Sequence, residues 1–266
     1  MNILDNIVLQ KEIEIENAKQ RYSIKDLQLT DLYKRSCISL SESLRDGQSL
    51  GIIAEYKRKS PSKGLINIHH NTVKDVAIAY HNAGASAMSI LTDKIFFGAE
   101  EEDILIARAY SQLPILRKEF IIDAYQVYEA KAMGADLILL IGAILSKKES
   151  KELSKVAHDL GMEVLYEIHE EKEIELIPDD VEMVGINNRD LKYFKVDFER
   201  SMRMFDQLPK DQLKIAESGI SDYNTVIDLK RKGFNGFLIG ETFMKTKTPG
   251  VTCGKFIQKV LEEDYL

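Results

Sequence analysis

The apolar run PILRK ends on a lysine, Lys118, and three carboxylates follow other apolar runs in the same way: Glu55 after GIIA, Glu167 after EVLY and Glu217 after KIA. An ammonium that closes a buried strand needs carboxylates beside it, and such neighbours keep it protonated, fit to act as a general acid. A lysine that snorkels to solvent at a rim is the alternative. Lys57, Thr92, Asp93, Asn187, Arg189 and Ser218 also stand at or just past the ends of apolar runs. ESGI and LIGE place Gly219 and Gly240 directly after such runs, where backbone N–H groups can approach an oxyanion. Glu241 can donate its own N–H there while its carboxylate points away.

These residues need a scaffold that brings chain-distant strand ends to one place. The runs GIIAE, AMSIL, PILRK, DLILLI, EVLYE, VGIN, KIAES and GFLIG are continuous and apolar, as parallel strands buried on both faces must be. Helical segments such as TVKDVAIAYHNAG, DAYQVYEAKAMG and SDYNTVIDLKRKG separate them, with Thr72 and the pair Ser221 and Asp222 as caps. Gly84, Gly134, Gly161 and Gly233 stand where those helices should end in a left-handed residue. Eight β-α units predict a closed (β/α)8 TIM barrel, an α/β fold, and a doubly wound open sheet is the rival. In a barrel the functional residues lie at the C-terminal strand ends, and the last two strands often hold a phosphate.

Residues 1–48 do not join this alternation. They read as a helical extension, either a structural cover or a roof over the active site, within a single domain of residues 1–266. The net charge of -7 argues against a nucleic-acid or membrane-surface partner, and no apolar run is long enough to span a bilayer. Cys37 and Cys253 are expected to be buried and inert in a reducing cytoplasm. His69 and His70 lack companions at metal spacing, and His169 could orient Glu167 or sit at the surface. HEEKEIEL reads as a solvated helix face, and Met202 and Met204 as packing residues. In AEYKRKSPSKG, Glu55 and Lys57 should face the barrel mouth and Tyr56 the helices. Arg58, Lys59 and Lys63 read as solvated, and Ser60, Pro61, Ser62 and Gly64 as a loop over substrate.

AEYKRKSPSKG, SILTD with FFG, LRKEF, GADLILLI, GINNRDL, ESGI and LIGE, in that order, resemble the indole-3-glycerol phosphate synthase family. The resemblance implies a cofactor-free and metal-free reaction on a small sugar phosphate, 1-(2-carboxyphenylamino)-1-deoxyribulose 5-phosphate. It implies Lys118 as general acid, Glu167 as base and Lys57 as the holder of anionic groups. Glu55, Asn187, Glu217 and Ser218 correspond to a polar ring around the reacting centre, and Arg189 joins the substrate-binding set. Phe97, Phe120 and Leu139 correspond to the wall against the anthranilate ring, and Ser60, Gly219, Gly240 and Glu241 to the phosphate end. The enzyme is expected to work as a monomer, with at most weak contact with other tryptophan-pathway enzymes. Glu119 replaces the usual aspartate, and Ala99 with Glu100 replaces a common Gly-Ser, which puts the role of the loop after the second strand in doubt. A ribulose-phosphate isomerase would share the ESGI and LIGE corner but not the set Lys57, Lys118 and Glu167. A class I aldolase would use Lys118 as a Schiff base. A barrel that only binds a sugar phosphate would leave the paired acid and base without a use.

Overall fold

The computed structural model describes residues 3–47, 49–189 and 195–264. Eight parallel strands close into a barrel: β1 (Ile52–Tyr56), β2 (Ala87–Leu91), β3 (Ile115–Lys118), β4 (Leu137–Ile141), β5 (Glu163–Ile168), β6 (Met183–Asn187), β7 (Leu213–Glu217) and β8 (Gly236–Ile239), with β8 hydrogen-bonded to β1. The eight apolar runs fall on these strands to within one residue at either end. Closure rules out the open sheet. Gly84, Gly134, Gly161 and Gly233 all have positive φ, and Thr72 and Asp222 cap the helices that follow them, whereas Ser221 does not.

Alternation along each strand sorts the apolar residues into two cores. Ile52, Met88, Ile115, Ile138, Val164, Val184 and Phe237 face the helices. Ile53, Ala87, Leu116, Leu137, Leu139, Leu165, Met183, Ile215 and Leu238 fill the barrel interior. Toward the C-terminal ends the inward positions turn polar, so the same alternation that fills the core also aims Glu55, Lys118, Glu167, Asn187 and Glu217 at the mouth.

The extension closes the barrel at both ends. Helix Leu40–Arg45 packs Leu40 and Leu44 against the interior cluster from below. The Glu163 carboxylate at the start of β5 accepts from the backbone N–H groups of Leu40 (2.9 Å) and Ser41 (3.1 Å). Above, helix α1 (Ile3–Arg21) lays Ile3, Leu4 and Ile7 on the mouth. One helix of the extension thus covers the barrel floor and another borders the cavity at its mouth.

Several expectations need correction. Arg58 is half-buried and pairs with the buried Asp103 through two hydrogen bonds, because the loop after β1 must be tied to the helix after β2. HEEKEIEL forms a short 3-10 helix, Glu171–Leu176, whose Glu173 is buried and accepts the His169 N–H at 2.7 Å. Cys253 is buried and its thiol is pushed up to about 12 by burial, but Cys37 is only half-buried. Asp190 and Leu191 of GINNRDL lie outside the described residues.

Candidate active site

The strand ends surround a cavity of about 440 Å³. At its deep centre the Lys118 ammonium lies 2.5 Å from Glu167 Oε2 and 2.8 Å from Glu217 Oε2. Asn187 Nδ2 donates to Glu167 Oε1 at 3.2 Å, and His169 Nε2 stands 3.1 Å from the same oxygen. Lys57 is paired with Glu55 on the neighbouring wall. His169 is buried against Glu167, so the surface placement is excluded.

Backbone economy makes room for these carboxylates. A Cβ on Gly185, an inward position of β6, would overlap Glu217 Oε1, and one on Gly240 would overlap Glu55 Oε1. Glycine at both positions lets a long side chain from the adjacent strand lie across the barrel.

Three buried carboxylates share two ammonium groups, and this imbalance sets the protonation. Burial alone would lower Lys118, but Glu167, Glu217 and Glu55 outweigh it and hold the ammonium above the ordinary lysine range. Burial would raise Glu167, yet Lys118 and then His169 hold it well below the usual carboxylate range. Glu217 lacks the extra donors of Glu167. Burial first and the Glu167 charge second push it up to about 8 against the pull of Lys118.

The two ends of the cavity differ in character. On one side Phe97 and Phe120, with ring centroids 6.1 Å apart, join Leu139, Leu91 and Ile141 and the α1 residues Ile3, Leu4 and Ile7 in an apolar slot. On the other, Ser218 and Gly219 both have positive φ (69° and 78°), and Gly240 opens helix Glu241–Met244. Ser218 is a side-chain-bearing residue in the left-handed region. Asn188 holds it there, donating from Nδ2 to the carbonyls of Glu217 (2.6 Å) and Ser218 (2.9 Å). The Glu241 carboxylate does not point away from this corner: it stands 3.7 Å from Lys63 Nζ and 3.8 Å from Arg189 Nη2. Lys63 is exposed, as expected, and also stands on the cavity rim.

Every candidate site residue lines this cavity: Lys118, Glu167, Glu55, Lys57, Asn187, Glu217, Ser218, Ser60, Phe97, Phe120, Leu139, Arg189, Gly219, Gly240 and Glu241. Asp93 and Thr92 do not. Asp93 turns outward to cap helix Lys94–Phe97, and Thr92 donates to Glu119 at 2.7 Å. Sequence reasoning missed Lys63, Thr242 and Lys245 at the phosphate-like corner and the apolar face of α1. Only the apolar spacing of Ile3, Leu4 and Ile7 could have signalled the last. Among the described residues no group of three or more His, Cys, Asp or Glu side chains could hold a metal ion.

A closed (β/α)8 barrel that gathers a buried lysine and several carboxylates around one cavity at the C-terminal strand ends has the architecture of a barrel enzyme. The sequence profile of the family described as "Indole-3-glycerol phosphate synthase" matches residues 4–253. The chain belongs to that family. It is 47% identical over 259 residues to the indole-3-glycerol phosphate synthase of Bacteroides thetaiotaomicron, covering 97% of this chain and 99% of the relative. It is 40% identical over 253 residues to that of Salinibacter ruber, covering 94% and 93%. Among solved structures, the tryptophan synthase complex of Pyrococcus furiosus contains a chain matching with TM-score 0.56 at 16% identity, covering 80% of this chain and 98% of that one. The tryptophan synthase subunit alpha of Legionella pneumophila matches with TM-score 0.61 at 12% identity, covering 84% and 97%. At those identities the likeness concerns the fold alone.

Proposed function

We propose that Lys118 and Glu167 act as acid and base in the carboxy-lyase reaction of this family, which turns 1-(2-carboxyphenylamino)-1-deoxyribulose 5-phosphate into indole-3-glycerol phosphate, carbon dioxide and water. The observation that carries the assignment is one buried ammonium within hydrogen-bond reach of two carboxylates, set between an apolar slot and an oxyanion corner. The anthranilate ring takes the slot, and the phosphate takes the backbone N–H groups near Gly219 and Gly240 with Lys63 and Arg189 as cations. The polar ring around Lys118 then meets the ketose carbonyl.

The ring carbon that bears the carboxylate attacks the carbonyl carbon while Lys118 delivers a proton to its oxygen. Carbon dioxide leaves, and its bonding electrons return to the ring. The new hydroxyl departs as water after a second protonation, and Glu167 takes the methylene proton so that the pyrrole ring becomes aromatic. The one net proton consumed comes from solvent. Lys57, kept in place by Glu55, holds the substrate carboxylate until it leaves.

With the ion pair of Lys118 and Glu167 intact this chemistry is opposed, since the pair holds Lys118 high and Glu167 low. A carbonyl that draws the ammonium away from Glu167 removes the charge that depresses it, and burial then strengthens the base. Ultraviolet detection of indole-3-glycerol phosphate together with carbon dioxide release from carboxyl-labelled substrate tests the reading. Both products in equal amounts are expected, and neither appearing would overturn it. The same reading takes the enzyme as a cytoplasmic monomer, at most in weak contact with other enzymes of its pathway. Among the described residues no helix is long and apolar enough to cross a membrane. A stable dimer in gel filtration would correct the monomer.

A further inference from the structure

The inward stripe of α1 runs through Ile3, Leu4, Ile7, Val8, Lys11, Glu14, Ile15 and Ala18, the i, i+4 spacing of one helix face; of these Ile7, Lys11 and Ile15 are buried and the others half-buried, and a lysine stands in the middle. An apolar residue would cover the mouth equally well if cover were all that this position supplied. Instead the Lys11 ammonium, only 3% exposed, lies 2.7 Å from Asp93 Oδ2, 3.2 Å from Glu119 Oε1 and 2.6 Å from Glu14 Oε2. Asp93 and Glu119 are buried as well. A buried ion cluster of this kind adds little net stability, because desolvation offsets the attraction, and its attested use is to fix one arrangement among several.

Both carboxylates also hold the backbone of the aromatic wall. Asp93 Oδ1 accepts the Phe96 N–H at 2.5 Å, capping the one-turn helix that carries Phe97. Glu119 Oε1 accepts the Phe120 N–H at 2.8 Å, and Glu119 follows Lys118 directly in sequence. One ammonium thus ties the roof helix to the loop ends that carry both aromatic rings of the slot. We propose that Lys11 is a positioning residue for the aryl half of the substrate, acting through Asp93 and Glu119 to set the spacing between the α1 roof and the Phe97 and Phe120 wall.

The proposal rests on the reaction assigned above for its kinetic consequence, but not for its structural one. Lys11→Met alone leaves two buried carboxylates without their partner and could unfold the chain, so the informative variant is Lys11→Met with Asp93→Asn and Glu119→Gln, which removes all three charges at nearly constant shape. Two measurements on the full chain decide. In steady-state kinetics with the carboxyphenylamino substrate, the triple variant should raise KM about tenfold with kcat within about threefold of the parent, and Lys11→Arg should retain most of the parental KM. In hydrogen exchange, amides of residues 3–21, 92–98 and 119–121 should lose protection while the barrel strands keep theirs. Parental KM and parental protection of α1 in the triple variant would overturn the proposal, as would loss of kcat at unchanged KM. If the parent itself fails to turn the substrate over, the reaction assignment falls, and the exchange result still decides the role of Lys11.

Discussion

Glu167 and Glu217 flank the same ammonium yet are shifted in opposite directions: Lys118 and then His169 hold Glu167 low, whereas burial and the Glu167 charge push Glu217 up. His169, which also lines the cavity, is therefore the neighbour whose loss should be most informative about Glu167. His169→Ala removes contacts that hold Glu167 low, so the folded pKa of Glu167 must rise. A base is useful only when deprotonated, and the acid limb of the kcat/KM profile is therefore expected to move to higher pH. An unshifted acid limb would mean that another group sets it. His169→Asn, which can still donate a hydrogen bond, should fall between the two.

At the level of the strand ends, alternation divides AEYKRKSPSKG among four surfaces. Glu55 and Lys57 line the cavity, Tyr56 faces the helices and donates to the Asn71 carbonyl at 3.1 Å, Arg58 pairs with Asp103, and Lys59 Nζ donates to the Ile95 carbonyl at 2.8 Å. Lys57→Ala is expected to raise KM by at least about tenfold and Lys59→Ala by less than about threefold, and equal effects in steady-state kinetics would refute the division. Gly185→Ala places a methyl group against Glu217 and should cut kcat while the strands stay intact by circular dichroism. The strands and the residues that end them were legible in sequence because apolar continuity and period-two alternation are local properties. Lys11 was not, since a lysine within ILDNIVLQKEIEIENAKQ looks like any charged helix position until its partners arrive from strand ends far along the chain. Glu173 hid for the same reason, one carboxylate among several in HEEKEIEL, told apart only by burial under His169.

For the whole molecule, the site costs stability in a way that pH reveals. Glu217 has a folded pKa near 8 against an unfolded value of 4.5, so between those values the folded state holds a proton that the unfolded state has released. Stability must then fall as pH rises through that window, by at most about 1.4 kcal/mol per pH unit for one group. Glu167 acts in the other direction, contributing stability above 4.5 that is lost as pH falls below it. Glu217→Gln mimics the protonated form, and its melting temperature relative to the parent should climb from pH 5 to pH 8 and level off above. A constant difference would contradict the assigned protonation. Such a gain alongside reduced activity is the usual trade between a strained site and a stable fold. The central claim is that Lys118 and Glu167 carry the chemistry, and single-turnover rates of indole-3-glycerol phosphate formation test it most directly. Lys118→Met and Glu167→Gln should each slow the reaction by about 10²-fold or more, whereas near-parental rates in both variants would contradict the claim.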